Sequence, residues 1–319
     1  MSDLIGHDEA WREWHSALGS ARMHHAWILT GLKGLGKAQF ARAAAAQLVA
    51  EPGRKQPPIE MHPDILIPEH PPENKEEVKK REDGQAYKRK RSIPIDEVRL
   101  LQRRLTTRPT LGARRVVIID PADDLEKNAA NALLKSLEEP PEGTFFLLVT
   151  HRLGRLLPTL RSRCRVLRFA PLAGDQIERI LRESAPDADA LTRAAAVAAA
   201  KGSPGAALEF VAQDLGALHQ LMLRLIAEGD EHFALRGALA EEIGARPSRE
   251  RQQAAIDLAR AVVAAELGHD AARDDRVIEA HGQLVRLGAQ LPTYNFDPGL
   301  VAMELGALLA TLAMPRESA

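Results

Sequence analysis

The stretch that most constrains the fold is "GLKGLGKA", Gly31–Ala38. It lies between the apolar run "HAWILTG" and the helix-forming "KAQFARAAAAQLVA". A phosphate-binding loop reads G-x-x-x-x-G-K-[S/T] between a buried strand and a helix. Its backbone amides close round a phosphate, and its lysine meets the β and γ oxygens. Gly31, Gly36 and Lys37 occupy the fixed positions, and Gly34 adds freedom to the turn. Ala38 stands where the pattern has a hydroxyl for Mg²⁺. A strand–loop–helix unit is therefore expected, holding a nucleotide site with one metal ligand missing.

Further strands and helices alternate behind it. "SIPIDEVRLLQRRL" puts Ile95, Val98, Leu101 and Leu105 on one helical face. "RRVVIID" reads as a buried strand ending in Asp120. "NAANALLKSLEEP" has Ala130, Leu133, Leu134 and Leu137 at helical spacing and stops before Pro140. "TFFLLVT" and "RCRVLRFA" are two more strands. Such alternation implies a parallel sheet covered by helices. After Pro171 only alanine- and leucine-rich helices are expected, the last with Asp297 as N-cap and Pro298 at its first position. Between these regions the charged loop 69–92 breaks the pattern. Its part from Glu73 to Arg91 carries eight Lys/Arg and five Asp/Glu. It reads as a mobile, solvated hairpin, with a nucleic-acid patch as the alternative.

Hydrolysis needs more than a loop. Asp120 could be the strand-end acid that helps hold Mg²⁺, but Pro121, where an acid would polarise the attacking water, has no such side chain. Ala38 and Pro121 together remove two catalytic functions from two separate motifs.

The runs "HAWILTGLKGLGK", "VVIIDPADDLEKNAANALLKSLEEPP", "FFLLVTHRLGRLLPTLRSRC" and "GSPGAAL" resemble the AAA+ subunits of bacterial DNA polymerase III clamp loaders. With its damaged ATPase motifs, the chain is most similar to the delta-prime type. The likeness is dense from about His24 to Ala207 and weak beyond. It implies an α/β P-loop AAA+ domain over 1–170, a small helical lid domain over 171–212 and an all-α collar over 213–319 that joins a ring of subunits. It also implies that Arg163, within Ser162-Arg163-Cys164, reaches a neighbour's ATP. Thr150 and His151 fall near the family's sensor at the end of the third strand. Gly205, in "GSPG", replaces a phosphate-touching lid arginine. The vestigial nucleotide site comprises Gly31, Gly34, Gly36, Lys37, Ala38, Asp120 and Thr150. Any ATP or ADP there would be held weakly and not hydrolysed. The stretch "VAEPGRKQPPIEMHPD" has no cysteine where many relatives carry a zinc module, so no zinc is expected. The partners implied are delta and tau/gamma subunits, with the sliding clamp and primer-template DNA reached through the complex. The chain would not be catalytic by itself, though part of the polymerase holoenzyme.

Composition narrows the rest. Net charge is −1, so no global field draws the chain to nucleic acid. The lone Cys164 rules out an internal disulfide and suits a reducing, cytoplasmic setting. No stretch reads as a signal core or membrane span. Cys164 reads as a small apolar residue, His24-His25 as structural, and Asp123 and Asp124 as surface or helix-start acids. The rival readings are a tau/gamma-like active ATPase subunit and an unrelated P-loop enzyme.

Overall fold

The apolar runs become strands because they are buried on both faces and leave the backbone only parallel neighbours to pair with. A computed structural model describes residues 4–20, 22–268, 271–291, 294 and 296–313. The chain divides into two compact units, Met1–Pro171 and Leu172–Ala319.

The first unit is built on β1 (Ala26–Thr30), β2 (Ile65–Leu66), β3 (Arg115–Ile119), β4 (Thr144–Thr150) and β5 (Arg165–Arg168). All are parallel, in the order β2-β3-β4-β1-β5. Side-chain alternation splits the core into two layers. Trp27 and Leu29 point towards α1 (Asp8–Leu18) and α2 (Lys37–Val49), joining Trp14, Phe40 and Leu48. Ala26 and Ile28 point the other way, into the layer that holds Val98, Leu101, Leu133 and Leu160. Six alanines on α2 reduce its bulk, and Ala41, Ala44 and Ala45 are buried. The expected strands and the helices after the loop, before β3 and after β3 thus stand where the sequence put them.

The segment between Glu73 and Arg91 is solvated as expected but carries more local order than its composition suggests. It contains α3 (Lys75–Glu82), capped by Asn74, whose Oδ1 accepts from the Glu77 backbone N–H at 3.0 Å. Glu77 is buried, and its carboxylate accepts from Lys80 Nζ at 2.7 Å and from the Lys88 backbone N–H at 2.6 Å. Those bonds hold its carboxyl below the ordinary range. The Glu73 N–H donates to the Lys88 carbonyl, and the Lys90 N–H to that of Pro71. The expected hairpin is mostly exposed, as a solvated segment should be, but its first arm holds a short helix clasped to an extended return segment. Its charge run hid one acid that works inside.

The cysteine-free stretch also has a definite fold. His62 Nδ1 accepts from the Asp64 backbone N–H at 3.1 Å, and His62 Nε2 meets Gln56 Oε1 at 2.9 Å. The fully buried Asp64 accepts from the Thr110 and Leu111 N–H groups, both at 2.7 Å, and faces Arg115 Nη2 at 3.5 Å. Arg115 in turn donates to the carbonyls of Arg104, Thr107 and Arg108. One buried ion pair thus fastens the connection after α4 (Ile95–Leu105) to the β2–β3 edge.

The second unit is all-helical among the described residues. It holds α7 (Gly174–Ser184), α8 (Ala190–Ala200), α9 (Pro204–Ala212), α10 (Gly216–Glu228), α11 (Ala234–Ile243), α12 (Arg249–Ala265), α13 (Ala271–Gln290) and α14 (Pro298–Ala310). One apolar cluster runs from Leu172 to Leu312. Side chains of Asp189, Ser203, Ser248 and Asp297 accept first-turn N–H groups, supplying partners that helix starts otherwise lack. Asp297 and Pro298 cap and open α14 as their order in the sequence predicts.

Removing Asp64 leaves Arg115 charged and buried without its counter-ion. Asp64→Ala is expected to destabilise the first unit by about 3–5 kcal/mol, read as a shift of its urea unfolding transition. A loss below 1 kcal/mol would show that the pair does not organise this edge.

Candidate functional site

The loop closes where β1 ends. Gly31 needs to be glycine, because a Cβ there would stand 2.6 Å from the Phe169 carbonyl oxygen. Gly36 takes φ 84° as the N-cap of α2, and a Cβ on it would meet Leu4 Cδ1 at 2.8 Å. Just before α1, His7 Nε2 lies 2.7 Å from the Leu35 carbonyl and its ring packs edge-on against Phe169. The N-terminal segment therefore braces the loop, a contact that the sequence pattern did not reveal.

Lys37 opens α2 and is 2% exposed. Its Nζ donates to the Gly31 carbonyl at 2.8 Å and the Leu32 carbonyl at 2.6 Å. The ammonium staples the first two carbonyls of the loop and so fixes its curvature. Burial lowers its pKa to about 8, with Asp120 and Asp123 opposing the fall. Beside it, Ala38 presents only a methyl.

Asp120 follows β3 at the same end of the sheet. Burial raises its carboxyl, against the pull of His151, Arg42, Lys37 and His70. Thr150 ends β4 in register with Thr30, just before the loop. It is fully buried, and its hydroxyl is engaged: Oγ1 donates to Asp123 Oδ1 at 2.9 Å and accepts from the Arg152 N–H at 3.1 Å. Asp123 also accepts from the His151 N–H at 2.7 Å. Asp123 is therefore more than a surface acid: it fastens the turn after β3 to the end of β4. Asp124 instead faces His70 Nε2 at 3.1 Å. Neighbouring His151 has its pKa lowered by burial, and its Nδ1 finds no partner among the described residues.

The parts brought together are thus Gly31, Gly34, Gly36, Lys37, Ala38, Asp120 and Thr150, at the carboxyl ends of the strands, where ligands of open α/β sheets bind. For a hydrolysing Mg²⁺–nucleotide centre they are a poor set. Ala38 and Pro121 offer no oxygen from a side chain, and the Thr150 hydroxyl is taken up by Asp123.

Arg163 is elsewhere. It follows α6 (Pro158–Arg161) and precedes β5, whose Arg165 pairs with Trp27 and whose Arg168 pairs with Thr30. The start of β5 is the opposite end of the sheet from Gly31, about 13 Å away along the strand at some 3.3 Å per residue. The Arg163 side chain is 35% exposed, with Nη2 2.5 Å from Glu138 Oε1. Its Nη1 donates to the Thr159 carbonyl at 2.9 Å and to Ser162 Oγ at 3.3 Å. Cys164 packs against the core, and burial pushes its thiol up to about 12, so it stays a protonated apolar group. His25 Nε2 donates to the Leu137 carbonyl at 2.9 Å, a structural role for that histidine.

The displaced Lys37 titration gives a signed test. Below pH 8 both folded and unfolded chains hold the proton. Between about 8 and the ordinary 10.5 only the unfolded chain does, so folding gains stability as pH rises. The wild-type stability is expected to rise relative to Lys37→Met by about 1.4 kcal/mol per pH unit in that window. A flat difference, measured by denaturant unfolding at successive pH values, would contradict the buried ammonium.

Comparison with known proteins places this geometry. The family model described as "DNA polymerase III, delta subunit" matches residues 6–173. DNA polymerase III subunit delta' of Pseudomonas aeruginosa is 36% identical over 216 residues, 64% of this chain and 60% of that protein. The Escherichia coli delta' subunit is 32% identical over 245 residues, 71% of this chain and 67% of that protein. The match therefore spans less than two thirds of the Pseudomonas relative. The tau subunit of Escherichia coli is 31% identical over 187 residues, 57% of this chain and 28% of its own. A DNA polymerase III gamma subunit-related protein of Thermotoga maritima shares the fold, with a TM-score of 0.52 at 20% identity over 95% of this chain and 99% of that one. The sheet, loop and helical second unit are accordingly those of an AAA+ protein, and the chain belongs to the delta-prime family of DNA polymerase III clamp-loader subunits.

Proposed function

We propose that this chain is a non-hydrolysing member of the clamp-loader ring that supplies Arg163 in trans to a neighbour's nucleotide. The observation that carries the reading is the position of Arg163. It lies at the far end of the sheet from its own phosphate-binding loop, which supports a target phosphate held by another chain. Arginine suits the task because its planar fork stays charged and can meet two phosphate oxygens at once. The absence of a hydroxyl at Ala38, of an acid at Pro121 and of an arginine at Gly205 supports the loss of hydrolysis here.

In this reading the ring partners are delta and tau/gamma subunits. The clamp and primer-template DNA are engaged through the complex, in the cytoplasm. Helices α7–α9 serve as the lid, residues 171–212. Helices α10–α14 form the collar, residues 213–319, which closes the ring. The intact Lys37 staple favours a loop that keeps its shape and holds ATP or ADP weakly.

Two outcomes follow. The isolated chain should release no phosphate from ATP above background. Sustained turnover abolished by Lys37→Ala would favour the active tau/gamma-like reading. In the reconstituted complex, Arg163→Ala should leave assembly intact on gel filtration yet slow ATP hydrolysis. A finger can contribute about 10³–10⁵ in rate at its own site, and the whole complex should lose less because its other sites keep theirs. Arg163→Lys should recover only part, since an ammonium lacks the fork. Unchanged hydrolysis and clamp loading would leave this chain a structural ring member.

A further inference from the structure

The guanidinium of Arg163 does not hang free. Its Nη2 lies 2.5 Å from Glu138 Oε1, and its Nη1 donates to the Thr159 carbonyl at 2.9 Å and Ser162 Oγ at 3.3 Å. Among the described residues nothing accepts from its Nε. Both Nη1 N–H groups are hydrogen-bonded within the chain and Nη2 is ion-paired to Glu138, which leaves the Nε edge for a phosphate.

Glu138 is well placed to hold such a group. It is the last residue of α5 (Lys127–Glu138), at the helix end whose unpaired carbonyls carry negative partial charge. That end is itself pinned, because His25 Nε2, next to the start of β1, donates to the Leu137 carbonyl at 2.9 Å. A long, rotamer-rich side chain left loose must be ordered when it meets its target. One clasped beforehand has already lost that freedom. The Glu138 side chain is 48% exposed, so its replacement leaves the core intact.

We infer that Glu138 is a positioning residue for Arg163: it clasps the guanidinium through Nη2 and presents the Nε edge to the neighbour's phosphate. The inference rests on the trans-arginine reading and deepens it.

The test uses the reconstituted complex with delta and tau/gamma subunits, clamp and primed DNA. Four forms of this chain are compared: Arg163→Ala, Glu138→Ala, Glu138→Gln and the Arg163→Ala/Glu138→Ala double variant. Glu138→Ala is expected to lower single-turnover ATP hydrolysis at the one site facing this chain by roughly 3- to 10-fold through misplacement of the arginine. Glu138→Gln keeps an acceptor oxygen and should recover part of the rate. The double variant should be no slower than Arg163→Ala alone, since Glu138 acts only through Arg163. In the isolated chain, NMR of the Arg163 Nε–H group should show greater mobility in Glu138→Ala.

Several results overturn the inference. If Arg163→Ala slows the complex but Glu138→Ala does not, positioning fails and the trans-arginine reading stands. If Glu138→Ala speeds the complex, Glu138 is a restraint on the arginine rather than a support. If the double variant is slower than Arg163→Ala, Glu138 acts by another route. If Arg163→Ala has no effect, the trans-arginine reading fails and this one falls with it.

Discussion

Everything functional in the first unit depends on the parallel register of β1 with its two neighbours. Thr30 of β1 stands beside Thr150 of β4 and Arg168 of β5. That alignment gathers the glycine loop, Asp120 and Thr150 at one end of the sheet. It also sends the start of β5, with Ser162, Arg163 and Cys164, to the other. A shift of one residue in either pairing would turn every inward side chain of a strand to the opposite layer, which both buried layers forbid. The hydrophobic core thus fixes the separation between the loop and the arginine.

At the loop end the chemistry is one of charge held without an outlet. Lys37 is buried and bonded to two carbonyls, and burial lowers its pKa to about 8. Asp120 is pushed the opposite way by the same loss of water. Asp123 spends its carboxylate on Thr150, His151 and Arg152. The loop keeps its curvature beside Asp120, while positions 38 and 121 carry no side-chain oxygen and the Thr150 hydroxyl is bonded to Asp123. At the other end Arg163 is partly exposed and oriented by a carboxylate, a carbonyl and a hydroxyl.

Much of this was legible in the sequence, and the reason is locality. A glycine loop between an apolar run and a helix is a pattern of neighbours, as are the helical spacing of Val98, Leu101 and Leu105 and the Asp297-Pro298 cap. What escaped were pairings between residues far apart in the chain. The bond from Asp123 to Thr150, the pair of Asp64 with Arg115 and the brace of His7 on Leu35 have no local signature. Glu138 lies within "LLKSLEEPP" and Arg163 within "LRSRC", but only the fold brings the two side chains together. The charged segment after Glu73 is mostly exposed, as its composition suggests, but its internal order has no local signature. There Asn74 caps α3 and Glu77 turns inward to clasp Lys88.

The central claim is that Arg163 stabilises charge on a phosphoryl group held by a neighbour. The most direct measurement is single-turnover ATP hydrolysis in a ring where only the site facing this chain can hydrolyse, comparing wild type with Arg163→Ala at saturating ATP. The account predicts that complexes assemble alike and that the rate constant falls by about 10³-fold or more, as for a true arginine finger. Equal rate constants in the two rings would contradict it.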